Sequence, residues 1–121
     1  MQKQVIYSAL FLIFLSACGK PLPSLDGIDL KAWKEDKNGC LNNRSQSIEM
    51  LIKQKGKLKS LDQTEMIQLL GRPDRNELYK RNQKFFYYFL EPGVACGVDK
   101  EPRKLSIRFN AVELAKEVII E

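Results

Sequence analysis

The pattern of apolar residues changes at Gly71-Arg72-Pro73, and this change constrains the fold more than any other feature of the chain. Before this point apolar residues recur at helical spacing, and after it they alternate. Gly71 permits a left-handed turn at the end of a helix, and Pro73 cannot continue a helix because it lacks an amide hydrogen. We therefore expect helices first and strands afterwards, which is the order of an α+β fold.

The helix that ends at this point has the clearest local signals in the sequence. Asp62 and Glu65 have the spacing of a capping box, in which the first side chain caps the third amide and the second reaches back. Leu61 and Met66 are placed to form a hydrophobic staple at the same end. These signals predict a helix over residues 63–70.

Two further helical segments are predicted nearer the amino terminus. Apolar residues recur at helical spacing over residues 41–55, and Gly56 is placed to end this helix. Its polar residues, Arg44 among them, are expected to face away from the core. Asp29 is a candidate N-cap for a short helical turn that carries Trp33, and we expect this tryptophan to pack rather than to bind a ligand.

Four segments after Pro73 have the composition of β-strands. They cover residues 75–80, 85–90, 105–109 and 112–120. The second is almost wholly aromatic, so both of its faces are apolar, and the sequence does not show which face the helices cover. The predicted fold class is therefore α+β, with two helices packed on a three- to four-stranded antiparallel sheet.

The uncovered face of this sheet is a candidate partner-binding surface, because exposed aromatic patches commonly mark interaction sites. We take Tyr79, Phe86, Tyr87 and Tyr88 as its candidate residues. The alternative is that the amino-terminal segment, the Trp33 segment or the long loop over residues 91–103 folds over these rings. That loop is long enough to be functional in its own right.

The amino-terminal residues are arranged like a bacterial secretory leader that ends in a lipobox. Lys3 precedes an apolar run that is shorter than the roughly 20 residues of a membrane-spanning helix. The motif Leu15-Ser16-Ala17-Cys18 then resembles the signal for lipid attachment to the cysteine; the alternative is an ordinary leader with a chance cysteine. We predict a removed leader over residues 1–17 and a tether over residues 18–28 that is lipidated at Cys18 and rich in Pro, Gly and Ser. The domain is predicted over residues 29–121.

The cysteine count supports an exported protein. Once Cys18 is lipidated, Cys40 and Cys96 remain, and an even number of cysteines in an oxidising compartment predicts a disulfide. The alternative is a pair of free buried thiols. The chain contains no histidine, so it lacks the commonest general base. With only two thiols available, it also has too few ligands for a zinc site. We expect no metal, no cofactor and no enzymatic activity.

The charge of the chain is mildly basic. Removing the leader, which contains Lys3 and no acidic residue, lowers the formal net charge from +5 to +4. We do not expect nucleic acid as a partner, because an exported lipoprotein rarely meets it. Attraction to anionic phospholipid is a secondary expectation, since basic residues near such a surface contribute about 1 kcal/mol each.

Three motifs follow the lipobox in a fixed order. These are the capped helix that closes on Leu70-Gly71-Arg72-Pro73, the aromatic strand 85–90, and Leu105-x-Ile107-x-Phe109-Asn110 before a last strand. In this order of motifs the chain from Leu61 to Glu121 resembles the SmpA/OmlA, or BamE-like, family of outer-membrane lipoproteins. The turn after Asn110 lacks the glycine that is frequent in the family, and the cysteine pair has no counterpart in its best-known member, so the resemblance is to a divergent branch.

The resemblance implies a function in binding. It implies a lipoprotein in the outer membrane, facing the periplasm, that assists envelope protein assembly, with the β-barrel assembly machine as the candidate partner. Gly19 after the lipidated cysteine is not the aspartate that retains such lipoproteins at the inner membrane of enteric bacteria. The helix-and-sheet plan is also similar to the β-lactamase inhibitor protein. That likeness implies the alternative of an inhibitor or immunity lipoprotein that blocks a periplasmic or cell-wall enzyme.

Overall fold

Three α-helices precede four β-strands in the structure, a computed structural model that describes residues 21–121. The predicted leader, the lipobox and Cys18 lie outside the described residues. The helices are α1 (Leu30–Glu35), α2 (Ile48–Gln54) and α3 (Gln63–Leu70), and the strands are β1 (Arg75–Tyr79), β2 (Gln83–Phe89), β3 (Lys104–Phe109) and β4 (Ala115–Ile120). The strands form one antiparallel sheet in the order β1-β2-β3-β4. The predicted α+β fold class is therefore confirmed.

Helix α3 begins and ends where its local signals predict. The Asp62 carboxylate accepts a hydrogen bond from the backbone amide of Glu65 at 2.7 Å, and the Glu65 side chain accepts one from the amide of Asp62 at 3.1 Å. At the other end Gly71 has a φ of 80°, a value that glycine adopts without a steric penalty. Both ends are therefore fixed by residues within or next to the helix.

The predicted helix over residues 41–55 is shortened to α2, and its orientation was wrong at three residues. Leu41 and Ile52, which were expected on the apolar face, are 61% and 50% exposed, whereas Arg44, which was expected to face away from the core, is 1% exposed. The cause at Leu41 and Arg44 is Asp36, whose carboxylate accepts hydrogen bonds from the backbone amides of these two residues at 2.6 and 2.9 Å. These two bonds hold the segment in a tight loop and turn the Arg44 side chain inward.

Gly56 does not end α2 in a left-handed conformation, which is a second correction to this part of the chain. The helix passes instead into a 3-10 turn over Lys55–Leu58. Leu58 is completely buried, and its packing carries the chain onward into the core. The positive φ that ends this region falls at Ser60, at 72°.

The segment over residues 22–28 packs on the domain rather than forming an extended tether. Leu25 and Ile28 are buried, and Leu22 packs against the same core. The backbone amide of Asp26 donates to Gln54 Oε1, and Gln54 Nε2 donates to the Asp26 carbonyl, each at 2.7 Å. Apolar burial and this paired contact with α2 offset the entropic cost of ordering the segment. The predicted domain boundary after residue 28 was therefore placed too late.

The last strand begins later than predicted, at Ala115 instead of residue 112. Asn110 Oδ1 accepts hydrogen bonds from the amides of Val112 and Leu114, and Glu113 takes a φ of 66°. This turn contains no glycine, as the sequence indicated, and a side-chain acceptor stabilises it instead. Val112 and Leu114 are consequently exposed in the turn and do not lie in the strand.

The helices cover one face of the sheet, and alternation along β2 divides its aromatic residues between the two faces. Phe86, Tyr88 and Leu90 lie in the core together with the buried apolar residues of the helices. Trp33 packs against Tyr88 with ring centroids 6.1 Å apart, and the Tyr88 hydroxyl donates to the Gly71 carbonyl at 2.8 Å. Within residues 21–121, no helix is long and apolar enough to cross a membrane.

Candidate functional site

The face of the sheet opposite the helices, which we call the open face, carries a row of aromatic side chains. Its register places Phe85 opposite Glu77 on β1 and Tyr87 opposite Ser106 on β3. The open face comprises Arg75, Glu77, Tyr79, Phe85, Tyr87, Phe89, Lys104, Ser106, Arg108, Glu117 and Ile119. Its aromatic residues are exposed or partly exposed, so they are available to a partner.

Three rings of the aromatic row are in contact with one another, and cations lie beside two rings of the row. Tyr79 meets Phe85 edge to face, with centroids 5.9 Å apart, and Phe85 stacks on Tyr87 at the same distance. Lys104 Nζ lies 4.4 Å from the centroid of the Tyr87 ring, and the Arg75 guanidinium lies 5.9 Å from that of Phe89. Aromatic rings and arginine are the residue types that dominate binding energy in protein interfaces.

The Tyr87 hydroxyl makes a polar contact inside this apolar row. It lies 3.3 Å from Glu77 Oε2 and donates a hydrogen bond to it. Desolvation by burial, and next the negative charge of Glu77, raise the pKa of Tyr87 above its usual value. The hydroxyl is therefore neutral at physiological pH, and it offers a partner a polar group at the centre of the aromatic row.

Two of the four predicted partner-binding residues lie on the wrong face. Phe86 and Tyr88 are 1% and 0% exposed and belong to the core, so neither is part of the open face. Burial also raises the pKa of Tyr88 well above its ordinary value. Tyr79 and Tyr87 do lie on the open face. Phe85 and Phe89 also lie on the open face, but the prediction missed them. Alternate residues of a strand share one face, so Tyr87 could have pointed to both of them.

A buried ion pair holds the helical layer to the sheet. Arg44 Nη1 donates to Asp74 Oδ2 at 2.6 Å and to the Phe89 carbonyl at 3.1 Å, and its Nε donates to the Trp33 carbonyl at 3.0 Å. The guanidinium also lies 5.0 Å from the centroid of the Trp33 ring and 5.7 Å from that of Tyr88. Sequence reasoning missed this site because its partners lie far apart along the chain.

The two buried carboxylates of this cluster are fully engaged. Asp36 accepts the two amide hydrogen bonds described above, and Asp74 accepts from the backbone amides of Asn38 and Phe89 as well as from Arg44. Each of the four carboxylate oxygens therefore accepts at least one hydrogen bond. The cluster therefore acts in the structure as a connection between α1, β1 and β2.

The predicted disulfide is present beside this cluster. Cys40 and Cys96 are bonded, with their Cα atoms 5.6 Å apart and a sequence separation of 56 residues. The bond attaches the long loop over residues 91–103 to the segment that follows α1. The loop is also closed at its ends by Glu91 and Arg103, whose Oε2 and Nη2 lie 3.0 Å apart.

This loop presents an exposed apolar residue on a constrained backbone. Val94 is 67% exposed and lies two residues from the disulfide. The Arg103 side chain, by donating a hydrogen bond to Glu91, lowers the pKa of that carboxyl below its usual value. The Glu91–Arg103 contact therefore persists at mildly acidic pH and weakens only as the pH falls through the lowered pKa of Glu91.

Fold and surface together define a small disulfide-bonded α+β domain with one open, aromatic sheet face. Among residues 21–121, no three His, Cys, Asp or Glu side chains are grouped so that they could hold a metal ion. No protein-family model matches the chain, and neither a curated protein nor a solved structure is significantly similar to it. The resemblance to the SmpA/OmlA lipoproteins therefore stays a prediction from the sequence motifs.

Proposed function

We propose that this protein is a non-enzymatic lipoprotein of the outer membrane, anchored through Cys18 and facing the periplasm, that assists envelope protein assembly by binding a partner. The binding surface is the open face. The observation that supports this proposal is the row of Tyr79, Phe85, Tyr87 and Phe89, which stays exposed or partly exposed although the other side of β2 completes the core.

The aromatic row is better explained by binding than by stability. The core is already filled by the opposite side chains of β2, so the open face is not needed to complete it. Rigid aromatic side chains lose little conformational entropy when a partner covers them, and truncation of such anchors often costs 2 kcal/mol or more of binding energy. The ion pairs Lys104–Glu121 and Arg108–Glu117 provide a polar rim on the β3–β4 side.

The other parts of the proposal come from the sequence. The lipobox supports a membrane anchor at Cys18, and the family resemblance supports the β-barrel assembly machine as the first partner to test. Anionic phospholipid is a secondary partner, and nucleic acid is not one. The absence of histidine from the chain supports a role without catalysis and without a cofactor.

We expect the open face to be required for partner recovery from bacterial envelopes in mild detergent. The double variant Tyr79→Ala/Phe85→Ala removes two adjacent rings and should reduce recovery of the β-barrel assembly machine at least ten-fold, as expected for the loss of anchor residues. The matched control Leu41→Ala/Ile52→Ala removes two exposed apolar side chains on the helical side, and recovery should be unchanged. The amount recovered is measured by quantitative mass spectrometry.

Two results of this recovery experiment would contradict the proposal. One is that the unaltered protein recovers no envelope partner. The other is that the helical-side control loses as much partner as the open-face variant, which would show that general surface hydrophobicity caused the recovery. Circular dichroism of both variants establishes that each is folded.

One observation favours the inhibitor or immunity function as a second candidate. Val94 projects from a loop that is held by the disulfide and by the Glu91–Arg103 ion pair, and rigid loops of this kind bind with a small entropic cost. If the recovered protein is a cell-wall hydrolase, and if Val94→Glu abolishes its recovery while Tyr79→Ala/Phe85→Ala does not, the inhibitor function replaces the assembly function.

A further inference from the structure

Strand β1 is an unprotected edge of the sheet. It pairs with β2 on one side only, and all five of its side chains are exposed. The opposite edge is different at its start, because β4 is bonded there to the chain before α3. The Ser60 amide donates to the Ala115 carbonyl at 2.8 Å, and the Ala115 amide donates to the Leu61 carbonyl at 2.9 Å. An edge that is free along its length can pair with a further strand.

Two grooves flank the start of β1, one on each side of the sheet. The groove on the open face has a volume of about 360 Å³ and is lined by Arg75, Phe89 and, from the loop over residues 91–103, Val94, Ala95, Glu101 and Pro102. The groove on the helical side has the same volume and lies between Ile67 of α3 and β1, with Asn76 and Phe86 in its lining. Because Arg75 and Asn76 are consecutive, their side chains point to opposite faces of the sheet.

The charges along this edge are mostly positive. Arg72, Arg75, Lys80 and Arg81 are all exposed, and none of them forms an ion pair with another of residues 21–121. The only exposed acidic residue among residues 72–81 is Glu77, because Asp74 is buried against Arg44, and one further exposed carboxylate, Glu101, lies in the lining of the open-face groove. A segment that lies along β1 is therefore favoured electrostatically when it is acidic.

We propose that β1 binds an extended acidic segment of a partner protein, which adds to the sheet as a fifth strand. Backbone hydrogen bonds to the free edge of β1 supply affinity, two consecutive apolar side chains enter the two grooves, and flanking carboxylates meet the four cations. This inference deepens the proposed function by naming the class of partner segment, and it rests on that function only in taking the partner to be a protein.

The test uses a short synthetic peptide that has a central Val-Leu pair flanked by glutamates. We expect it to bind the full-length protein in detergent micelles, with amide chemical-shift changes centred on residues 72–80. A peptide N-methylated at its central residues should bind at least ten-fold more weakly, because it cannot pair with the edge, and so should a peptide with lysine in place of glutamate. Affinities are measured by fluorescence anisotropy.

Protein variants provide an independent control on charge. Arg75→Glu/Lys80→Glu should weaken binding of the acidic peptide at least ten-fold. Lys59→Glu/Lys116→Glu makes the same charge change at the β4 edge and should have less than a two-fold effect. Equal losses in the two variants, or equal binding of the N-methylated peptide, would overturn the fifth-strand proposal by showing that charge alone attracts the peptide.

The outcome is separable from that of the proposed function. If the peptide does not bind but the unaltered protein recovers its envelope partner through the open face, the fifth-strand proposal is overturned and the proposed function stands. If the peptide binds at β1 but no envelope partner is recovered, the edge site stands and the assembly function is contradicted.

Discussion

Replacing both Cys40 and Cys96 by serine should lower the free energy of unfolding by about 4 kcal/mol. The disulfide closes a loop over a sequence separation of 56 residues, and its main effect in the chain-entropy account is to restrict the unfolded state. For a domain of this size, whose total stability is about 5–15 kcal/mol, that is a large share. Urea denaturation of the oxidised protein and of the double variant gives the difference.

The reduced unaltered protein is the matched control for this prediction. It should unfold at the same urea concentration as the double serine variant, because both lack only the bond between the two sulfur atoms. A difference of less than about 1 kcal/mol between the oxidised protein and the variant would contradict a stabilising role for the disulfide.

The substitution Arg44→Met should lower the free energy of unfolding by about 3–5 kcal/mol. It leaves the Asp74 carboxylate buried without its positive partner, and an uncompensated buried charge is costly. The hydrogen bonds to the Trp33 and Phe89 carbonyls are lost as well. Arg108→Met is the matched control, because Arg108 forms an ion pair with Glu117 that is open to solvent, and its loss should cost no more than about 1 kcal/mol.

A double variant identifies the cause of this effect. Adding Asp74→Asn to Arg44→Met removes the negative charge that the first change leaves behind, so the double variant should lose less stability than the sum of the two single changes. If Arg44→Met costs no more than Arg108→Met, the buried ion pair is not what joins the helical layer to the sheet.

Features fixed by nearby residues could be predicted from the sequence, and α3 is the clearest example. Its capping box depends on two side chains three residues apart, and its end depends on Gly71, so no distant contact had to be known. Arg44 is the opposite case. It is a polar residue in an apparently amphipathic segment, and its burial depends on Asp74, which lies 30 residues away in sequence. Local periodicity carries no information about such a partner.

The candidate site was predicted only in part for a similar reason. Alternation along β2 separates Phe85, Tyr87 and Phe89 from Phe86 and Tyr88, and both sets are equally apolar. Packing of the helices determines which set is buried. Trp33 on α1 packs against Tyr88, so the set that contains Phe86 and Tyr88 lies in the core. The composition of residues 22–28 was equally ambiguous, because Leu25 and Ile28 are buried by a core whose other residues lie farther along the chain.

The most direct test of the account is the mass and location of the protein in the cells that produce it. The account predicts a chain in the outer-membrane fraction that begins at Cys18 and carries acyl groups on that residue, with Cys40 and Cys96 resistant to alkylation before reduction. An unprocessed chain that begins at Met1, carries no acyl group and is found in the cytoplasm would contradict the lipid anchor and the envelope role that depends on it.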